Sequence, residues 1–121
     1  MKKTYYLTTA IAYASAIPHI GNVYEAILAD SIVRLKRLDG YDVFFQTGTD
    51  EHGQKIENKA GLNELSPKTY VDHISTEIKR IYQKVGVSYD QFVRTTDERH
   101  IKSVQAIFKQ LYDQGDIYLG E

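Results

Sequence analysis

Cysteine is absent from the 121 residues, which excludes disulfides and a cysteine-ligated zinc site within the chain and suits a reducing compartment. No apolar run approaches the ~18 residues that a membrane-spanning helix needs. Met1-Lys2-Lys3 is followed by threonine and tyrosine rather than the apolar region of a secretory signal. A basic excess is missing too: 15 Lys and Arg stand against 16 Asp and Glu. The chain thus lacks the positive footprint with which nucleic-acid binders neutralise phosphates, and any RNA affinity must be supplied elsewhere. Nor is there an internal repeat, a low-complexity tract or a linker. What is present, 42% hydrophobic and 26% charged residues, is a globular balance that excludes a wholly disordered chain. The expectation is one cytoplasmic domain, or a piece of a larger one, with a modest core.

Along the chain, Thr4–Thr9 is β-branched and aromatic and reads as a buried strand. Residues 10–18 form a loop, since Pro18 disfavours helix just before it. From Ile20 the apolar side chains Ile20, Tyr24, Ile27, Leu28, Ile32, Leu35 and Leu38 keep helical spacing until Gly40, which predicts a helix with that stripe in the core. Tyr41–Thr49 follows as a strand whose Val43-Phe44-Phe45 run predicts burial on both faces. A short helix is expected over Gln54–Ala60, closed by Gly61. A long one follows, with Ser66 as N-cap and Pro67 as first residue, burying Tyr70, Val71, Ile74, Ile78, Ile81, Tyr82 and Val85 before Gly86. An extended piece at Gln91–Arg94 leads to a third long helix, opened by Asp97, with Ile101, Val104, Phe108, Leu111 and Tyr112 inward until Gly115; Asp116–Leu119 then looks strand-like. Strand, helix, strand is a βαβ unit, so the fold class is α/β: the N-terminal half of a Rossmann-like parallel sheet with flanking helices.

Ligands of such sheets bind beyond the carboxyl ends of the strands, and two unusual clusters fall there. Pro18-His19-Ile20-Gly21-Asn22 opens the first helix. A helix N-terminus offers unpaired N–H groups and partial positive charge, Gly21 admits close approach of a nucleotide, and His19 and Asn22 add side-chain donors, equipment that fits a triphosphate. The competing reading is that His19 merely caps its own helix. Gly48-Thr49-Asp50-Glu51-His52-Gly53 crowds two acids into a turn, where like charges repel unless a cation, a metal or a substrate ammonium relieves them; the alternative is a solvated turn that caps the next helix. Ala12 and Tyr13 lie in the loop roofing the expected pocket, as lining or as ordinary packing. Glu25 is either a ribose or base contact or a surface carboxylate. His73 and His100 read as surface residues, and the ten tyrosines as mostly core or interface.

Taken together, these stretches resemble the class I aminoacyl-tRNA synthetases and, within them, the methionyl-tRNA synthetases. The likeness is carried by Tyr5–Thr9, Tyr13, Pro18–Asn22, Lys36-Arg37-Leu38 with Gly40–Val43, Gly48–Ile56, Arg94–Asp97 and Gln114–Glu121. It implies that methionine attacks the α-phosphate of ATP, bound with Mg2+, and that the methionyl group then passes to tRNA(Met). By position, His19 and Asn22 are the implied catalytic residues, with His19, Gly21, Asn22 and Glu25 on ATP. Ile11, Ala12, Tyr13 and Asp50 are implied at methionine, Asp50 on its ammonium, and His52 on the nucleotide side.

Asn22 stands where the family more usually has a second histidine; an amide still donates to phosphate but cannot become cationic. No Lys-Met-Ser-Lys-Ser-like stretch occurs, and any zinc of a full-length protein must find its ligands outside this segment. The expectation is therefore that residues 1–121 are the N-terminal part of the catalytic domain, ending before or at the connecting insertion. By themselves they should be inactive, and free to self-associate through an exposed sheet edge. Two other readings stay open: a small nucleotidyltransferase with a similar turn, against which Gly48–Ile56 argues, and a non-catalytic, truncated interaction module.

Overall fold

The computed structural model describes residues 2–120; Met1, and Glu121 at the end of the Gln114–Glu121 stretch, lie outside them. The order of elements is β1 (Thr4–Thr8), β2 (Ala12–Tyr13), α1 (Ile20–Leu38), β3 (Asp42–Asp50), α2 (Gln54–Leu62), α3 (Pro67–Lys84), β4 (Gln91–Arg94) and α4 (Glu98–Asp113). All strand pairings are parallel and all involve β3. Gln46 pairs with both Thr8 and Gln91, and Thr49 with both Ala12 and Arg94. Hence β1 and β2 run along one side of β3 and β4 along the other. Residues 9–11 face only residues 47–48, a one-residue bulge between β1 and β2 that breaks the first strand. The expected parallel α/β sheet is thus present, with strands in the order β1/β2, β3, β4.

The core lies on one face of this sheet. Ala26, Ala29 and Val33 of α1 meet Phe45 of β3, Ile56 and Ala60 of α2, and Tyr70, Val71, Ile74, Ile78 and Tyr82 of α3. Ser66 caps α3 as expected, its hydroxyl accepting from Thr69 N at 3.1 Å with Pro67 next in line. Gly40, at φ +83°, reverses the chain after α1 in a conformation that L side chains rarely adopt.

Several expectations are corrected. The large apolar stripe of α1 faces away from the core: Ile20 is 83% and Leu38 85% exposed, and Tyr24, Ile27, Leu28, Ile32 and Leu35 are also exposed. The buried face is Val23, Ala26, Ala29, Asp30 and Val33. Both faces keep helical spacing; small side chains win the inner one because they let the helix approach the sheet closely. Likewise α4 buries none of its residues. β1 is not a buried strand, since Tyr6 is 62% exposed and stacks only on half-exposed Phe44, 5.9 Å away. Phe45 is buried and its neighbour Phe44 is not, so β3 is covered on one face rather than both at that point. On α3, Ile81 is half-buried and Val85 exposed. α2 is not closed by Gly61 but runs through it to Leu62, and the left-handed residue beyond its end is Glu64, at φ 55°. Asp116–Leu119 forms no strand, and Leu119 is fully open to solvent.

The loop before β4 is fastened to α1 by buried Asp30, which accepts from Ser88 N at 2.7 Å, Ser88 Oγ at 2.6 Å and Arg34 Nε at 2.5 Å. Burial raises the pKa of its carboxyl, but the hydrogen bonds from Arg34 and Ser88 outweigh this and hold it below the ordinary value. A lowered folded pKa gives stability that is full above the ordinary carboxylate range and is lost as pH falls through the lowered value. We expect acid to weaken the fold over that window, and Asp30→Asn to flatten the dependence while costing about 2 kcal/mol at neutral pH; urea melts from pH 2 to 7 check both.

Candidate functional site

Parallel pairing puts the carboxyl ends of all four strands on one rim, and the chain ties its loops down there. The bulge and the segment after it are held by Ala10 N on Glu25 Oε1 at 2.9 Å, by Ala14 N on the Asp50 carbonyl at 2.8 Å, and by the buried hydroxyl of Tyr70 on the Ser15 carbonyl at 2.9 Å. Ile11 sits in the bulge and is 44% exposed, while Ala12 and Tyr13 pair with Thr49 and Asp50. A Cβ on Gly53 would lie 2.8 Å from the Tyr13 hydroxyl. Tyr13 therefore reaches the second motif at Gly53, whose φ of +125° itself favours glycine. Tyr70→Phe leaves the Ser15 carbonyl without its donor in a buried place; a loss of about 1–2 kcal/mol in urea melts is the expected result.

At the start of α1, His19 Nδ1 accepts from Gly21 N at 3.1 Å, and Asn22 Oδ1 accepts from His19 N at 3.3 Å, a reciprocal cap. The capping reading of His19 is thus present, and it presets the ring. With Nδ1 as acceptor, a neutral imidazole carries its hydrogen on Nε2; with Oδ1 engaged, Asn22 has its amide N–H groups left to donate. Both exposed ends are donors, at the electropositive end of a helix. A Cβ on Gly21 would stand 2.9 Å from His19 Cε1, so this glycine makes room for the capping ring. Glu25 spends one carboxylate oxygen on Ala10.

In the second motif the two acids have different fates. Glu51 is fully buried, and its carboxylate accepts from Thr49 Oγ1 at 2.6 Å, from Arg94 Nε at 2.7 Å and Nη2 at 2.9 Å, and from Thr96 Oγ1. Arg94 extends its other contact to Asp72 Oδ1 at 2.6 Å. Its pKa is raised, chiefly by the hydrogen bond to Glu51. The cation that relieves this turn is therefore an arginine of the chain itself. Asp50 takes no side-chain hydrogen bond or ion pair among the described residues. It borders a cavity of about 310 Å³ with His52, Thr95, His100, Ile101, Val104 and Gln105. His52 Nε2 makes only a long contact, 3.4 Å, with the Thr95 carbonyl.

Tyr13, Asp50, His52 and Gly53 thus come together, while His19, Gly21 and Asn22 form a separate cluster at the head of α1; His19 is not among the residues lining the Asp50 cavity. The sequence gives no site role to His100, which reads as a surface residue and borders that cavity; Arg94 enters there only through the family likeness, and Tyr70 only as core. Arg94 carries a signal: it ends the extended piece at Gln91–Arg94, on the same rim.

A family model described as "tRNA synthetases class I (M)" matches residues 5–121. The chain belongs to the class I methionyl-tRNA synthetase family. It is 57% identical over 120 residues to the methionine–tRNA ligase of Clostridium tetani, covering 99% of this chain and 19% of that protein. A Mycobacterium tuberculosis methionyl-tRNA synthetase, solved with methionyl-adenylate, superposes with a TM-score of 0.94 at 43% identity over 98% of this chain and 23% of that one. A LeuRS of Agrobacterium radiobacter K84, in a ternary complex with tRNA and LeuAMS, gives 0.89 at 27% identity over 97% of this chain and 15% of its own. The chain thus spans about a fifth of the length of the relatives it matches. A LeuRS thus shares the fold, and the sheet alone does not distinguish the two kinds of synthetase.

Proposed function

We propose that residues 1–121 are the N-terminal part of the catalytic domain of a cytoplasmic methionine–tRNA ligase, and that both motif clusters act in methionine activation. A methionine carboxylate oxygen attacks the α-phosphorus of ATP, and the bond to the bridging oxygen of pyrophosphate breaks as the acyl-phosphate bond forms. A hydroxyl of the terminal adenosine of tRNA(Met) then takes the methionyl group and AMP leaves. His19 Nε2–H, the Asn22 amide and the α1 N-terminus stabilise charge building on the phosphates, a task of positioning more than of covalent help. Mg2+ enters as the counter-ion of the triphosphate. Asp50 takes the methionine ammonium, with Tyr13, Ile11 and Ala12 beside it and His52 toward the nucleotide. The observation that carries this reading is the contrast between the neighbours: Glu51 fully satisfied within the chain, Asp50 open on a cavity.

The test is ATP–pyrophosphate exchange by the full-length protein. Exchange that requires methionine is expected; exchange indifferent to amino acids favours the nucleotidyltransferase. The isolated 121 residues should show negligible exchange and aminoacylation. Because β1 pairs on one side only among the described residues, we also expect this segment alone to self-associate, which light scattering checks.

A further inference from the structure

Arg94 closes β4, two strands away from the loop that follows β1, and its side chain is only 16% exposed. It gives two hydrogen bonds to Glu51 and a third to Asp72 on α3. Thr95 repeats the clamp: Glu51 N donates to its Oγ1 at 2.9 Å, and its own N to the Thr49 carbonyl at 3.2 Å. Glu51 is flanked in sequence by the two residues that face the cavity, Asp50 and His52. Drawing Glu51 inward fixes the direction of its neighbour Asp50.

We propose that Arg94 is a positioning residue for the amino acid: by pinning Glu51 it sets where the Asp50 carboxylate stands on the cavity. This rests on the reading of Asp50 as the ammonium partner. The geometry asks for arginine in particular, since a planar fork can meet both Glu51 oxygens and still reach Asp72, which a single ammonium cannot do. Without it, the buried Glu51 carboxylate is left with hydroxyl donors and no cation; it must take a proton or swing toward water, and either outcome drags the turn carrying Asp50.

The test uses a full-length methionine–tRNA ligase carrying these 121 residues, with Arg94→Met and Arg94→Lys, read by pyrophosphate exchange alongside thermal melting. A role limited to stability lowers the active fraction and leaves both KM values alone. Positioning raises KM for methionine by about tenfold or more while KM for ATP stays within about twofold, because a small misplacement of one binding group is costly for the ligand it meets. Arg94→Lys should recover part of the loss; if Arg94→Met fails to fold, the lysine variant decides by the same split. Equal shifts in the two KM values, or none, overturn the proposal. A parent enzyme without methionine-dependent exchange overturns the functional reading beneath it instead.

Discussion

Gly48→Ala is expected to destabilise the fold by about 3 kcal/mol or more, the upper end of what an overpacked site costs. Gly48 pairs with Val93 between the Thr47–Phe92 and Thr49–Arg94 pairs. A Cβ there would stand 2.0 Å from the Val93 carbonyl oxygen and 2.9 Å from its carbon. The obstacle is backbone, which cannot rotate away as a side chain would, so β3 and β4 must part. Parting them also moves Arg94, one residue on, off Glu51, and the clamp on the turn goes with it. Gly61→Ala is the control: nothing lies within 4 Å of a Cβ at that helical position, and a gain of about 0.5–1 kcal/mol is expected. Urea denaturation of both variants reads the contrast. A Gly48→Ala protein as stable as its parent would mean that the two strands are not as close as described.

The second large effect is on chemistry. Asp50→Asn keeps the shape and removes the charge, and kcat/KM for methionine in pyrophosphate exchange should fall about 100-fold or more, as when one partner of a close charge pair is lost. KM for ATP should hold. Thermal stability should hold too, because the Asp50 carboxylate supports no contact among the described residues. Glu51→Gln is expected to behave in the opposite way, losing stability first: its carboxylate is buried against Arg94, Thr49 and Thr96. A mere solvated turn would make both substitutions mild.

That opposition was only half legible in the sequence. Two adjacent acids announce a need for a cation, but spacing does not say which acid an internal arginine answers; only the alignment of the β4 end with the β3 end shows that Arg94 reaches Glu51 and leaves Asp50. The same limit explains α1. Periodicity located the helix and its end at Gly40, yet both of its faces are apolar. The choice of the Ala26–Ala29 face depends on how closely the helix approaches the sheet, a property of the partner surface and not of the helix. By contrast, α3 was read nearly residue by residue, since Ser66-Pro67 fixes its start and it has one apolar stripe against charged residues. The strand expected at Asp116–Leu119 has β propensity but pairs with no strand among the described residues, and propensity without a partner makes no strand.

The most direct measurement is a crystal structure of the full-length enzyme with a non-reactive methionyl-adenylate analogue. The expected result places the ammonium within hydrogen-bond distance of the Asp50 carboxylate, and the phosphate replacement beside His19 Nε2 and the head of α1. An analogue whose ammonium is met by other groups, with Asp50 facing solvent, would contradict the assignment of both clusters to one site.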